Sequence, residues 1–382
     1  MHTFTRGIVS AGIALVTIVS IAGCATDGSD AAATDDATGS ATTTPSSTPT
    51  GSATGTIDFG SAPGTAGRPT CAELLPGDLV TAVVPAARAV DTLTDVAHVA
   101  GSEAFLPAAG GATCDSSNGV APLDDHVPGR RGEPVFEGVR LTVLPDGEAA
   151  LARQRAFNGS ATLTDCAASD AARVYCGADT LAGTAWVSLT ATRLQDDTDA
   201  VPEQVQPAFD ALLAAVVERV AGSALGNDRG EGEGDDGSIT DCDAANVDAV
   251  TSTTLAVGPF PNSSTAPTTT DFARHRVGAD SCVFVSTDDA SGYVRAGALY
   301  AHLPDGGWVA ERRLGSRAIE RGDRLDLDGL GDGDAAWRTC DETGCSVDVV
   351  QDGDWTHWLL LADVAPNTSS AIERWVETSF AD

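Results

Sequence analysis

The chain contains no lysine: all 22 of its basic residues are arginine, set against 55 acidic ones. That absence excludes a Walker-A phosphate lysine, a Schiff-base lysine and a Ser-x-x-Lys acyl-enzyme pair. Aromatic residues make up only 5%, and there is no Gly-x-Ser-x-Gly elbow, no His-Glu-x-x-His and no glycine-rich phosphate loop after a strand. Beyond the N-terminus the histidines are His98, His126, His275, His302 and His357, scattered without ligand spacing. The formal net charge of -33 disfavours nucleic acid as a partner, because backbone binding needs a basic stripe. These absences together predict a protein that is not an enzyme.

One long apolar run is present, from Gly7 to Ile21 behind Arg6, and it closes on Ile21-Ala22-Gly23-Cys24. At about 15 residues it is too short for a spanning helix, and with its basic flank and small residues it predicts a signal peptide over residues 1–23. The cysteine directly after Gly23 resembles the bacterial lipoprotein signal, which implies lipid on Cys24. The expected location is the extracytoplasmic face of the cell membrane, with the membrane a partner through that lipid. Residues 24–69 are dominated by Ala, Thr, Ser, Gly, Pro and Asp. Such a segment buries too little surface to offset its ordering entropy, so it predicts a disordered tether with a reach of roughly 35–40 Å as a flexible coil. A second break at 222–240, rich in glycine and like charge, predicts a linker between domains at 70–221 and 241–382.

Besides Cys24 there are eight cysteines, four in each domain: Cys71, Cys114, Cys166, Cys176, Cys242, Cys282, Cys340 and Cys345. An even set in an exported chain predicts disulfides formed in an oxidising compartment. Short loops and internal duplication favour the pairs Cys71–Cys114, Cys166–Cys176, Cys242–Cys282 and Cys340–Cys345.

The domains read as copies. An opening helix at Cys71 matches one at Cys242, and a second cysteine follows at Cys114 and at Cys282. Alternating strands then stop at the same Leu-Pro-Asp-Gly turn, Leu144 to Gly147 and Leu303 to Gly306. Helical stretches with paired arginines come next, Arg153 and Arg155 in one copy, Arg312 and Arg313 in the other. Cys176 to Trp186 and Cys345 to Trp355 share a spacing, but aligning Asp170-Ala171-Ala172 with Asp334-Ala335-Ala336 would match Cys176 to Cys340 instead. Both copies end on an amphipathic helix. The pattern predicts an α+β fold of two similar duplicated domains, each an antiparallel sheet with helices packed on one face and pinned by disulfides.

Two acidic groupings could hold a metal. Asp124-Asp125-His126 sits among prolines and glycine, where a solvated loop is the plainer reading. Asp326, Asp328, Asp332 and Asp334 place carboxylates among glycines, which suits calcium, although Arg324 stands where an EF-hand needs its first Asp. Trp308, Trp337, Trp355, Trp358 and Trp375 would be core if buried and a stacking platform for a sugar or apolar ligand if exposed.

The Cys-Ala-Glu-Leu-Leu-Pro opening at Cys71 and the Leu-Gly-Asp-Gly-Asp-Ala-Ala-Trp stretch ending at Trp337, behind the lipobox and tether, resemble actinobacterial surface lipoproteins with tandem Cys-paired domains. They are distantly similar to extracellular sensor domains of some Ser/Thr kinases. The resemblance implies location and fold more than activity. It favours a non-catalytic module that binds or senses an envelope ligand or protein. The alternatives are an assembly factor of the envelope and a wall hydrolase, the latter needing convergent carboxylates or a Ser–His pair from distant segments.

Overall fold

The computed structural model describes residues 56–64, 67–120, 136–157, 165–169, 173–194, 201–226, 242, 245–258, 267–286, 295–319 and 323–381. The signal segment, Cys24, the tether to residue 55, Asp124-Asp125-His126 and residues 227–240 of the linker lie outside them.

Two antiparallel sheets are formed, each from one half of the chain. The first runs β1 (Arg88–Val90), β2 (Ala112–Ser117), β3 (Gly138–Leu144), β6 (Ala185–Leu194), β5 (Arg173–Ala182), β4 (Ala167–Ser169). The second runs β7 (Leu255–Val257), β8 (Asp280–Ser286), β9 (Arg295–Leu303), β13 (Asp354–Leu361), β12 (Gly344–Gln351), β11 (Ala335–Cys340), with β10 (Arg324–Leu325) added at the edge. Without β10 the two orders coincide, as duplication demands.

Side-chain register resolves which cysteines correspond. Trp186 lies opposite Leu144 and Leu181, and Trp355 lies opposite Leu303 and Val350. Each indole donates to an aspartate seven residues earlier at 2.8 Å, Trp186 to Asp179 and Trp355 to Asp348. Cys176 therefore corresponds to Cys345. The Leu-Pro-Asp-Gly turns also match, with Asp146 and Asp305 left-handed at φ 49° and 52°, a conformation aspartate tolerates better than most residues.

The disulfides are Cys71–Cys114, Cys166–Cys176, Cys242–Cys282 and Cys340–Cys345. Cys71–Cys114 ties the opening helix α1 (Cys71–Leu74) to β2, and Cys340–Cys345 closes the β11–β12 hairpin at a directly opposed pair.

One face of each sheet packs on its own C-terminal helix. In the first half α2 (Gly77–Val83) and α5 (Pro202–Ala221) cover Val174, Val187 and Leu189, with Val205, Phe209, Leu212, Val216 and Val220 fully buried. Each such side chain contributes about 1.5–3 kcal/mol by leaving water. In the second half α6 (Ala245–Asp248) and α9 (Thr368–Ala381) cover Val347, Trp358 and Leu360 through Val247, Ile372, Trp375 and Val376.

The other faces are covered too, in departure from the one-sided packing expected of each domain. Each carries a helix of its own half, α4 (Glu148–Phe157) or α8 (Gly307–Ser316), together with a segment lent by the other half. Residues 91–106, running into α3 (Phe105–Ala108), cross the second sheet, where Ala100 packs with Leu299 and Leu359. A β-carbon at Gly101, whose φ is +86°, would stand 2.4 Å from that of Ala301, so only glycine lets this strap pass. In return α7 (Thr269–Arg276) lies on the first sheet, where the Thr269 and Thr142 hydroxyls bond at 2.7 Å and Phe272 packs edge-on to Trp186. One apolar cluster consequently joins Leu144, Leu151 and Trp186 to Leu303, Trp308 and Trp355. The halves share a core because neither inner face is closed by its own residues.

Residues 56–60, expected to be tether, also dock on the second half. Phe59 stacks on Trp337 with ring centroids 6.1 Å apart, Ile57 joins the shared core, and the Asp58 amide donates to the Gly333 carbonyl. Two apolar residues in a polar stretch were too sparse a signal to register as structure. Among the described residues no helix is long and apolar enough to cross a membrane.

Candidate functional site

The strapped face of the second sheet carries a cluster of buried polar side chains. Period-two alternation puts Ser346 and Asp348 of β12 and Trp355 and His357 of β13 on that face, and α8 lays Arg313 across it. Ser346, Asp348, His357 and Arg313 are all 0% exposed. Asp348 Oδ1 accepts from Trp355 and from His357 Nδ1 at 3.0 Å, while the other imidazole nitrogen, Nε2, lies 3.0 Å from the carbonyl of Val99. Both nitrogens of His357 face acceptors, an arrangement that only the doubly protonated ring satisfies in full. Arg313 Nε stands 3.6 Å from Asp348 Oδ2, an ion pair without a hydrogen bond. Burial pushes the Asp348 carboxyl up, but the charges of Arg313 and His357 and its hydrogen bonds outweigh that and hold it at about 2.

Arg313 is also the clamp on the strap. Its guanidinium donates to the carbonyls of Leu93 at 3.0 Å and Ala97 at 2.8 Å, and the neighbouring Arg312 pairs with Asp91. The arginine pair noticed in the sequence thus holds the other half of the chain. In the first copy the positions of Arg313 and His357 fall at Gln154 and Ser188: Gln154 donates to Asp179 Oδ2 at 3.1 Å, and the guanidinium of the neighbouring Arg155 bonds the Asp179 backbone carbonyl at 3.2 Å.

Further along the strap, His98 joins two groups far away in sequence. Its Nδ1 lies 3.1 Å from Ser346 Oγ and its Nε2 3.0 Å from Asp341 Oδ1. Burial is the largest influence on His98 and outweighs Asp341, so the ring is held below its ordinary value and is neutral. Asp341 is ionised and can only accept, so Nε2–H donates to it and Nδ1 accepts from the serine hydroxyl. Ser, His and Asp are thereby linked as a nucleophile relay would require, yet Ser346 sits in mid-strand between Thr339 and Leu359 with no exposed surface. A hydroxyl so enclosed cannot meet a substrate, and the relay acts as a staple between strap and sheet.

Asp341, by contrast, has a side chain 41% exposed and opens onto a cleft of about 490 Å³. The walls are the strap at Thr94, Asp95, Val96 and Ala97, the end of α8 with Ser316, Arg317 and Ala318, then Asp323, and the β11 end from Thr339 to Asp341. Both halves of the chain therefore build it. Burial tends to raise the Asp341 carboxyl, but the bonds from Thr343 and the proximity of His98 leave it below the usual range. Oδ1 takes all of its hydrogen bonds, from His98, from the amide and hydroxyl of Thr343 and from the Gly344 amide.

The residues singled out from the sequence fare unevenly. Asp326 and Asp328 are exposed, and Asp334 uses its two oxygens to accept from the amides of Gly331 and Asp352. Among the described residues no three His, Cys, Asp or Glu side chains gather as metal ligands, these four aspartates included. All five tryptophans of the second half are buried, Trp308 the most exposed at 5%, so they are core and no stacking platform exists on them. Sequence reasoning missed His98, Ser346 and Asp341 as a unit. With a sequence separation of 248 between His98 and Ser346, no local pattern joins them.

By sequence, no family model and no curated protein matches the chain. Among solved structures, the di-domain aromatase/cyclase StfQ of the steffimycin biosynthetic pathway aligns over 85% of this chain and 90% of its own at 10% identity. The TM-score is 0.12.

Proposed function

We propose that this protein is a lipid-anchored module of the cell envelope that binds or senses a ligand and performs no chemistry on it. The supporting observation is the cleft at Asp341, which falls within the size range of small-molecule sites and is walled by both halves of the chain. The nearest group with catalytic composition is spent inward, on holding the strap. Lipid on Cys24 would keep the module at the extracytoplasmic face of the membrane, with residues 24–55 as the tether. Calcium at Asp326 to Asp334 is not needed by this reading.

Two measurements test it. Labelled palmitate should be incorporated into the wild-type chain and lost in Cys24→Ala, and unchanged membrane retention of that variant would refute the anchor. Screening of soluble envelope fragments should give a ligand whose binding is abolished by Ala318→Trp, which fills the cleft. Turnover of any such fragment would overturn the non-enzyme reading.

A further inference from the structure

The lining of the cleft carries a charge pattern that narrows what it can hold. Asp95 Oδ2 accepts from the Asp91 amide at 2.8 Å, which leaves its Oδ1 turned to no partner among the described residues. Beside it in the lining stand Arg317, Asp323 and the Oδ2 atom of Asp341, which takes none of the bonds formed by that carboxylate among the described residues. Among the described residues neither the Arg317 side chain nor the Asp323 side chain has a hydrogen bond or an ion pair, and Arg317 bonds through its backbone amide, to Leu314. One guanidinium and three carboxylates therefore line one cavity, and none of the carboxylates closes to ion-pair distance of Arg317. Arg317 is exposed and the Asp341 side chain is 41% exposed, so water solvates these charges and a ligand entering the cleft can reach both signs at once. A bridging molecule must itself carry both signs. A plain polyamine would meet Arg317, and a plain carboxylate would meet Asp323 and Asp341.

We infer that the cleft takes a small zwitterion, a free amino acid or short peptide, with its ammonium against Asp323 and the free oxygen of Asp341 and its carboxylate against Arg317. The inference rests on the binding reading of the cleft. Asp341 suits the role because its other oxygen is fixed by four donors, so the free one is held in place before the ligand arrives, which lowers the ordering cost of binding. Arg317 suits it as a planar fork matched to a carboxylate. Its left-handed backbone, φ 72°, ends α8 and sets its position on the wall.

Calorimetric titration of the full chain decides the matter, with glycylglycine as the probe and methylamine and acetate as single-charge controls. Glycylglycine should bind saturably, and each control at least about tenfold more weakly, as expected for loss of one charged hydrogen-bond set. Arg317→Gln and Asp323→Asn remove groups that have no partners among the described residues, so both should melt like the wild type. Each should weaken glycylglycine by about tenfold or more. Equal binding of the controls, no effect of either variant, or glycylglycine binding that survives Ala318→Trp would overturn the inference. If glycylglycine fails to bind while an envelope fragment binds and is blocked by Ala318→Trp, the zwitterion falls and the binding reading stands.

Discussion

His357 Nε2 donates to the backbone carbonyl of Val99 across 258 residues of sequence, from the second half of the chain to the first. That bond belongs to a reciprocal exchange in which the strap closes one sheet and α7 closes the other. The halves should therefore fold as one cooperative unit.

Expressed alone, residues 241–382 would expose the face bearing Asp348, His357 and Arg313 and lose the Val99, Leu93 and Ala97 carbonyls that satisfy it. The fragment is expected to aggregate or to unfold without a sharp transition, whereas the whole chain melts in one step. A fragment with native near-ultraviolet circular dichroism and cooperative melting would contradict the shared core.

The buried charge offers a comparison between the copies. Arg313→Ala should cost about 3–5 kcal/mol, since it leaves Asp348 in the core without its guanidinium. Arg313→Gln imitates Gln154 of the first copy but loses the clamp on Leu93 and Ala97, and should fall between alanine and wild type. Gln154→Ala removes a neutral donor from the Asp179 carboxylate and should cost less, about 1.5–3 kcal/mol. Urea midpoints measure all three, and an Arg313→Ala cost no larger than that of Gln154→Ala would sink the argument.

How far the sequence foretells this structure depends on how local each feature is. Cysteine spacing, the Leu-Pro-Asp-Gly turns and the helical periodicity of Val205 to Val220 are contiguous signals, and from them follow the disulfides, the strand-to-helix corners and the closing helices. The strap carries no comparable signal: residues 91–106 show no sustained period, because they pack through carbonyls and small residues such as Ala100 and Gly101. Burial of the tryptophans was legible only as an alternative, since an aromatic at strand spacing reads alike whether a helix or water covers it. The cleft draws on four separate segments and was out of reach.

Disulfides of different loop length should differ in worth. In the chain-entropy account, opening Cys71–Cys114, which spans 43 residues, costs about 4 kcal/mol. Opening Cys340–Cys345, which spans 5, costs about 2 kcal/mol. Serine pairs at each position, compared by denaturant unfolding, should preserve that order. A reversed order would mean that the β11–β12 hairpin needs its bridge to hold the wall of the cleft at Asp341, and that loop entropy is not the controlling term.

Acid should unfold the protein in two stages, and the sign of each follows from the groups involved. Burial holds His98 below its ordinary 6.5, so the unfolded chain takes up this proton before the folded chain does. Stability linked to His98 is then complete above pH 6.5 and declines as pH falls toward the lowered value. Asp348, held at about 2 against an ordinary 3.8, adds stability that is present above pH 3.8 and lost as pH falls toward 2. His98→Gln should abolish the first decline and spare the second, while lowering stability at neutral pH through loss of the bonds to Ser346 and Asp341. Urea midpoints from pH 8 to pH 2 give the profile. A wild type whose midpoint does not drop below pH 6.5, or a His98→Gln profile parallel to it, would mean that the imidazole is not the group that ties strap stability to pH.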